Sequence, residues 1–204
     1  WRERHGIVLG ELNAGGGMAI RYTHEDHPVT PAAYGRALRD AVAKAAVRHD
    51  YPPPHLYVEP GRALVGPSTI TLYRVGTVKR LPGIRTYVSV DGGMSDNIRP
   101  ALYDAEHEVA LAGRVSDAPL EAVTVVGKHC ESGDLVREHA ALPSDLAPGD
   151  LLAVAATGAY TESMASNYNR LPRPGAILVG PGEPRWLVRR ETLDDVIGRD
   201  VRLD

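Results

Sequence analysis

The spacing of apolar residues changes near residue 66, and this change restricts the possible folds more than any other feature. Residues 6–12 form a short aliphatic run before a glycine-rich segment, which is typical of a buried strand. Thr30 and Pro31 then predict a helix start, with threonine at the N-cap and proline at the first helical position. Helical spacing continues to about residue 49, and a second strand is expected at 56–59. This order predicts α/β units of a barrel or sheet.

After residue 66 the chain contains short alternating or aliphatic segments that glycine, proline and aspartate separate. Such segments predict a mostly-β second domain. The predicted strands lie at 68–75, 86–90, 122–126, 151–155 and 176–179, and the last two are expected to be buried. Short helices are expected at 97–104 and 161–169, and a last helix is expected to begin near residue 191.

Composition excludes several classes of function. The net charge of −3 gives no basic surface for nucleic acid, and no apolar run reaches the roughly 20 residues of a membrane helix. The single cysteine, Cys130, excludes an internal disulfide and favours a reducing cytoplasm. The opening residues do not resemble a signal peptide. The histidines lack metal-ligand spacing, so no metal site is predicted and they are interpreted as solvated or structural.

Two segments of the α/β part are candidates for binding an anion. The glycine triplet that ends at Gly17 follows a strand, so its N–H groups could form an anion-binding nest, although a flexible turn at the strand end explains a bare triplet better. Glu59, Pro60, Gly61 and Arg62 place a carboxylate, a rigid turn and a guanidinium together. Glu59 could keep a pyridine nitrogen protonated, and Arg62 could bind a carboxylate. The alternative is a surface salt bridge beside a turn.

The β part contains further candidates. Arg99 and Tyr103 are four residues apart, so a helix would place them on one face, where they could bind a carboxylate or serve only for packing. Cys130 and Glu131 lie in a polar, glycine-containing segment and could donate a proton and bind an ammonium group. Tyr160 ends a predicted strand, where it could reach a ligand or fill the core.

The candidate segments form an ordered series, which lies at 15–17, 59–62, 90–103, 127–134 and 158–160. Over essentially the whole chain, this series resembles the diaminopimelate decarboxylases, and the actinobacterial-like forms are nearest. The blocks around Asp91 and Cys130 are the most specific. The resemblance implies the fold of the alanine racemase-like, fold-type III enzymes. Residues 1–66 would be the last units of a TIM-like (β/α)8 barrel, and residues 67–204 a β-barrel or sandwich domain of the alanine racemase C-terminal type.

The same resemblance implies a function and roles for individual residues. Members use pyridoxal 5'-phosphate to decarboxylate meso-2,6-diaminopimelate to L-lysine and CO2 at the end of lysine biosynthesis, as homodimers with a shared active site. Cys130 would be the catalytic proton donor, acting in the partner's site. The cofactor would contact Gly17, Glu59, Pro60, Gly61, Arg62 and Tyr160. The substrate would contact Arg62, Arg99, Tyr103, Glu131 and Tyr160.

The chain departs from the family at its lysines. Only Lys44, Lys79 and Lys128 are present, and none matches the Schiff-base lysine, which lies on an early barrel strand. We therefore expect this chain alone to be inactive and destabilised, because an open barrel leaves strand edges unpaired. Two alternatives remain open at this stage: a decarboxylase of another amino acid, such as ornithine or arginine, on the same fold, or an inactive fragment that serves only binding or dimerisation.

Overall fold

A computed structural model describes residues 2–201. Residue 1 of the first expected domain and residues 202–204 of the second lie outside the described residues. The first part contains α1 (Arg2–His5), β1 (Glu11–Asn13), α2 (Pro31–Arg48), β2 (His55–Tyr57) and α3 (Gly61–Val65). Strands β1 and β2 pair in parallel, with Leu12 opposite Leu56, and α2 connects them. The hydroxyl of Thr30 accepts a hydrogen bond from Ala33 N at 3.2 Å, which confirms the predicted helix start.

The predicted strand at residues 6–12 is largely wrong, because β1 contains only Glu11–Asn13 and all three residues are exposed. Among the described residues β1 pairs with β2 alone, so nothing covers its other edge. The aliphatic residues before it are correspondingly about half exposed, namely Ile7 (47%), Val8 (49%) and Leu9 (49%). Their apolar character predicts burial, but the described part of the chain provides no neighbour to bury them.

The second part is built on a six-stranded mixed sheet. It comprises β3 (Thr71–Leu81), β4 (Arg85–Val90), the helix α4 (Arg99–Tyr103), β5 (Val109–Ala112), β6 (Leu120–Val126), β7 (Leu135–Pro143) and β8 (Leu151–Val154). The strand order is β5-β8-β3-β4-β6-β7, and only β4 and β6 pair in parallel. The edge strands β5 and β7 also contact each other, so the sheet curls towards a closed barrel.

Aliphatic side chains from these strands form one hydrophobic core. Its fully buried members are Val75, Val88, Val90, Val123, Val125, Leu142, Leu152 and Val154. β-branched residues pack well on a pleated surface, which explains the predominance of valine. This core holds the segments that follow β4, β6 and β8, which carry the candidate residues Arg99, Tyr103, Cys130, Glu131 and Tyr160.

The C-terminal region consists of β9 (Ala176–Leu178), β10 (Arg185–Val188) and α5 (Leu193–Ile197). The prediction of a buried strand at 176–179 is wrong in its burial, because β9 is mainly exposed. The helix expected at 161–169 is instead two 3-10 turns, Glu162–Met164 and Tyr168–Arg170, and Asn169 has a left-handed φ of 54° that interrupts them. The last helix is confirmed near its expected start, with Thr192 and Asp195 forming a capping box.

Three strands were not predicted, namely β5, β7 and β10. The sequence of β7 contains consecutive polar residues, and His139 within it has a φ of 52°, so its alternation is irregular. β5 has only four residues, and all four residues of β10 are exposed.

In residues 2–201, no helix has the length and apolar character needed to span a membrane.

Candidate functional site

The glycine loop that follows β1 lies directly against the end of β2. Glu59 N donates a hydrogen bond to the Gly15 carbonyl oxygen at 2.8 Å. A Cβ on Gly16 would lie 2.6 Å from the Glu59 carbonyl oxygen, so the two backbones approach too closely for a side chain. Gly15 and Gly17 have φ values of 71° and 87°, which glycine tolerates better than other residues. The fold therefore brings the first two predicted clusters together.

The Glu59 carboxylate is held in place at this junction. Its Oε1 accepts a hydrogen bond from Asn13 Nδ2 at 2.5 Å, while Glu59 itself remains exposed. The N–H of Gly61 donates to the Glu59 carbonyl oxygen at 2.9 Å, so this donor is engaged inside the turn. A positioned, solvent-facing carboxylate is suited to a protonated pyridine nitrogen, and a glycine loop is suited to a phosphate. The two features together fit pyridoxal phosphate.

A cluster of guanidinium groups and aromatic rings lies beyond this turn, and we call it the arginine–tyrosine cluster (Arg62, Arg99, Tyr103 and Tyr160). The Arg99 Cζ atom is 5.9 Å from the Tyr103 ring centroid and 5.6 Å from the Tyr160 ring centroid. The Arg62 Cζ atom is 5.7 Å from the same Tyr160 ring. These distances are within the range of a cation–π interaction. The predicted shared face of Arg99 and Tyr103 is confirmed, and Tyr160 joins the two arginines, which are 37 positions apart in sequence.

Close backbone packing places Tyr160 in this cluster. Gly158 N donates a hydrogen bond to the Gly66 carbonyl oxygen at 3.0 Å. A Cβ on Gly158 would overlap the carbonyl oxygen of Val65 at the end of α3. Tyr160 itself has a left-handed φ of 59°, and its side chain is about half exposed. The loop after β8 is thereby packed against the end of α3, the helix that carries Arg62.

The two guanidinium groups lack the partners that buried cations usually have. Arg99 is only 8% exposed, and the Nε atoms of Arg62 and Arg99 are buried without a hydrogen-bond partner. Neither arginine forms an ion pair with a carboxylate in the part of the chain that the structure describes. Burying a cation without a counter-charge is costly. The cluster is therefore suited to anionic ligands, such as carboxylates.

A third group of loops meets at Asp134, which is 3% exposed. Its carboxylate accepts hydrogen bonds from Met94 N at 2.7 Å, from His129 N at 2.8 Å and from His129 Nδ1 at 2.7 Å. Added Cβ atoms on Gly93 or Gly127 would overlap this carboxylate. One buried aspartate thus connects the loop after β4 to the loop after β6, which carries Cys130.

Cys130 and Glu131 lie on the exposed side of this junction. Glu131 Oε1 accepts a hydrogen bond from Gly133 N at 3.1 Å, and the Cys130 thiol is free. Within residues 2–201, the structure has no hydrogen bond, ion pair or ring contact that joins Cys130 or Glu131 to the arginine–tyrosine cluster. The structure therefore brings together four of the predicted side chains, Arg62, Arg99, Tyr103 and Tyr160, and leaves the thiol apart from them.

Several residues that support the site were not singled out from the sequence. Tyr22 places its ring under Arg99, with 5.4 Å between the guanidinium carbon and the ring centroid. His107 is fully buried and contacts Tyr22, and burial lowers its pKa below the ordinary histidine value. Asp134 is four residues after Cys130, and its position in the loop of that motif is the sequence feature that could have pointed to it.

In the described range 2–201, no group of three or more His, Cys, Asp or Glu side chains is arranged to hold a metal ion.

Two protein-family models match this chain. The model of the "Pyridoxal-dependent decarboxylase, C-terminal sheet domain" matches residues 36–158. The model of the "Pyridoxal-dependent decarboxylase, pyridoxal binding domain" matches residues 1–66. The first match covers more than half of the chain and includes Arg62, Arg99, Tyr103 and the Cys130 loop, and it ends two residues before Tyr160.

Individual relatives agree with the family match. The chain is 52% identical over 196 residues to the diaminopimelate decarboxylase of Synechocystis sp., covering 96% of this chain and 42% of the relative. It is 48% identical over 201 residues to the Bacillus subtilis enzyme of the same name, covering 98% and 46%. A crystal structure of diaminopimelate decarboxylase from M. jannaschii with L-lysine superposes with a TM-score of 0.90 at 32% identity, covering 99% of this chain and 45% of that one.

The chain thus spans less than half the length of the relatives it matches. The resemblance inferred from the five ordered clusters is confirmed, and the overall fold is that of the fold-type III decarboxylases. Because a family model accounts for most of its length and the unpaired arginines lie within the matched region, the chain belongs to the pyridoxal-dependent decarboxylase family.

Proposed function

We propose that this chain forms the C-terminal part of an enzyme that decarboxylates meso-2,6-diaminopimelate to L-lysine and CO2, the last step of lysine biosynthesis. The observation that carries the proposal is that Arg62 and Arg99 share contact with the Tyr160 ring, while the Nε atom of each is buried without a hydrogen-bond partner. Diaminopimelate has two carboxylates, and the relatives with about half of their aligned residues identical carry this activity in their names.

The cofactor would be pyridoxal 5'-phosphate at the junction of the glycine loop and β2. When bound, it accepts the electron pair that remains after CO2 leaves. Glu59, held by Asn13, would keep the proton on the pyridine nitrogen, because a nearby carboxylate favours the cationic form. Gly17 and Gly61 would lie near the phosphate. The remaining cofactor contacts would be Pro60, Arg62 and Tyr160.

The arginine–tyrosine cluster would orient the substrate. Arg99 would bind the distal carboxylate through its planar fork of donors, and Arg62 would contribute a second positive charge. Tyr103 and Tyr160 would fix the two guanidinium groups and exclude water from them. Glu131 would bind the distal ammonium group. Recognition of both charges at the distal end would distinguish diaminopimelate from ornithine.

Cys130 would donate the proton to the α-carbon after CO2 has left. Its loop is exposed and separate from the cluster of its own chain, which supports a role in the active site of a partner subunit. The working enzyme would then be a homodimer with active sites shared across the interface. We further propose that it acts in the cytoplasm, that residues 1–66 complete a barrel, and that residues 67–204 form the β domain.

The positions of the three lysines support one alternative, in which this chain alone is an inactive fragment. Lys44 lies on α2, Lys79 on β3 and Lys128 before the buried His129, and none contacts the arginine–tyrosine cluster. The chain by itself would therefore lack a lysine for the cofactor and would be inactive. It would act either as part of a longer enzyme or as a fragment that serves only dimerisation or binding. An ornithine or arginine decarboxylase is the remaining alternative within the family.

The experiment uses the full-length protein that contains this chain, with pyridoxal phosphate, and the Cys130→Ala variant. We expect kcat for lysine release to fall more than about tenfold, which corresponds to about 1.4 kcal/mol in the activation barrier. Ser163→Ala removes a hydroxyl from the exposed face of the 3-10 turn Glu162–Met164 and is the matched control, with kcat unchanged. A Cys130→Ala enzyme that keeps kcat within about tenfold of the unmodified enzyme would show that the thiol is not the proton donor.

A further inference from the structure

His107 is a buried imidazole next to the helix that carries Arg99, and its hydrogen bonds define one tautomer. It is 0% exposed, and its Nδ1 lies 2.8 Å from the Ala155 carbonyl oxygen. A carbonyl oxygen can only accept a hydrogen bond, so Nδ1 carries the proton. Burial lowers the pKa of His107, which favours the neutral ring and leaves Nε2 as an acceptor.

Because Nε2 of His107 is a hydrogen-bond acceptor, it fixes the orientation of the Asn97 amide. Asn97 Nδ2 lies 3.4 Å from His107 Nε2, and Asn97 Oδ1 accepts a hydrogen bond from Arg99 N at 3.2 Å. The amide nitrogen is a donor and the amide oxygen an acceptor, so both contacts agree with one orientation of the amide. A directed chain of hydrogen bonds therefore runs from the first residue of α4 through Asn97 and His107 to the Ala155 carbonyl.

A second route connects the same imidazole to the Arg99 guanidinium. The rings of His107 and Tyr22 pack edge to face, with centroids 5.1 Å apart and an interplanar angle of 84°. The Tyr22 ring also lies against the Arg99 guanidinium, whose carbon is 5.4 Å from the ring centroid. His107 thus supports the backbone of Arg99 through Asn97 and its charged group through Tyr22.

We propose that His107 is a positioning residue for carboxylate recognition, holding the Arg99 guanidinium in the orientation that a substrate carboxylate requires. The inference rests on the proposed function, in which Arg99 binds the distal carboxylate. A neutral imidazole suits this position because it supplies both a donor and an acceptor without adding a positive charge near Arg99 and Arg137. His107 itself contacts neither cofactor nor substrate, so its effect is exerted through Asn97 and Tyr22.

The test measures competitive inhibition by L-lysine, which retains the distal carboxylate, in the full-length enzyme. His107→Phe keeps an aromatic ring against Tyr22 but removes both hydrogen bonds. We expect the inhibition constant to rise about tenfold, equivalent to about 1.4 kcal/mol, with kcat changed less than about twofold. His27→Phe, at an exposed histidine, is the matched control and should leave both values unchanged.

An Arg99→Lys background separates positioning from general damage. If His107 acts through the planar guanidinium, His107→Phe should change the inhibition constant less than about twofold in that background. An equal loss in both backgrounds would overturn the positioning role. Asn97→Ala breaks the same chain without altering the imidazole, and it serves if His107→Phe does not fold. The expected result is the same selective loss of L-lysine binding.

A nitrogen-15 NMR spectrum of the unmodified enzyme tests the hydrogen-bond chain without any activity measurement. We expect a neutral His107 ring with its proton on Nδ1. A charged ring, or a proton on Nε2, would overturn the inference. If the unmodified enzyme neither releases lysine nor binds it, the proposed function itself fails, which differs from a failure confined to the His107 variants.

Discussion

The packing of the Tyr160 loop against α3 predicts that Gly158→Ala destabilises the protein. The added Cβ would overlap the Val65 carbonyl oxygen, and it would lie 2.8 Å from the Val65 carbonyl carbon and 3.1 Å from the Gly66 carbonyl oxygen. These are backbone atoms, so they cannot move aside as the end of a side chain would. Overpacking of this kind typically costs about 1–3 kcal/mol.

The assay is thermal unfolding followed by circular dichroism. For a chain of about this size, each 1 kcal/mol lowers Tm by about 2–4 °C, so Gly158→Ala should lower Tm by about 2–12 °C. Gly35→Ala is the matched control, because Gly35 is within α2 and an added Cβ there meets nothing within 4 Å. That variant should raise stability by up to about 1 kcal/mol, since alanine favours a helix more than glycine does. A Tm for Gly158→Ala equal to or above the unmodified value would refute the close packing.

Two further predictions concern buried and paired carboxylates. Asp134→Asn replaces a charged acceptor of Met94 N and of two His129 donors with a neutral one, so unfolding should cost about 1.5–3 kcal/mol less in urea denaturation; an unchanged midpoint would contradict this. Hydrogen bonds from Arg173 lower the pKa of Glu191 from 4.5 to about 2, so the stability from this pair is present above pH 4.5 and is lost as pH falls towards 2. Arg173→Ala should remove that part of the pH dependence in acid denaturation, and an acid limb unaffected by the substitution would count against it.

The helix and loop chemistry of the fold could be predicted because it is local. Thr30 and Pro31 define the start of α2 through capping, and the spacing of Arg99 and Tyr103 places them on one helical face without reference to the rest of the chain. The extent of β1 could not be predicted, because its burial depends on a neighbouring strand that the described residues do not contain.

The candidate site also combines features that the sequence predicts with features that depend on tertiary packing. Its motif residues were identifiable from chemistry and order, but their meeting at Tyr160 depends on the close approach of Gly158 to α3, which is a property of tertiary packing. His107 was interpreted as solvated or structural, because a single histidine has no spacing that reveals a partner. Only the fold brings it to Asn97 and Tyr22.

The central claim is that the unpaired arginines select a substrate with a distal carboxylate. The most direct measurement is product release by the full-length enzyme with pyridoxal phosphate, supplied with meso-2,6-diaminopimelate or with ornithine at equal concentration. The account predicts equal amounts of L-lysine and CO2 from diaminopimelate and much slower CO2 release from ornithine. CO2 release from ornithine at a comparable or higher rate would contradict it.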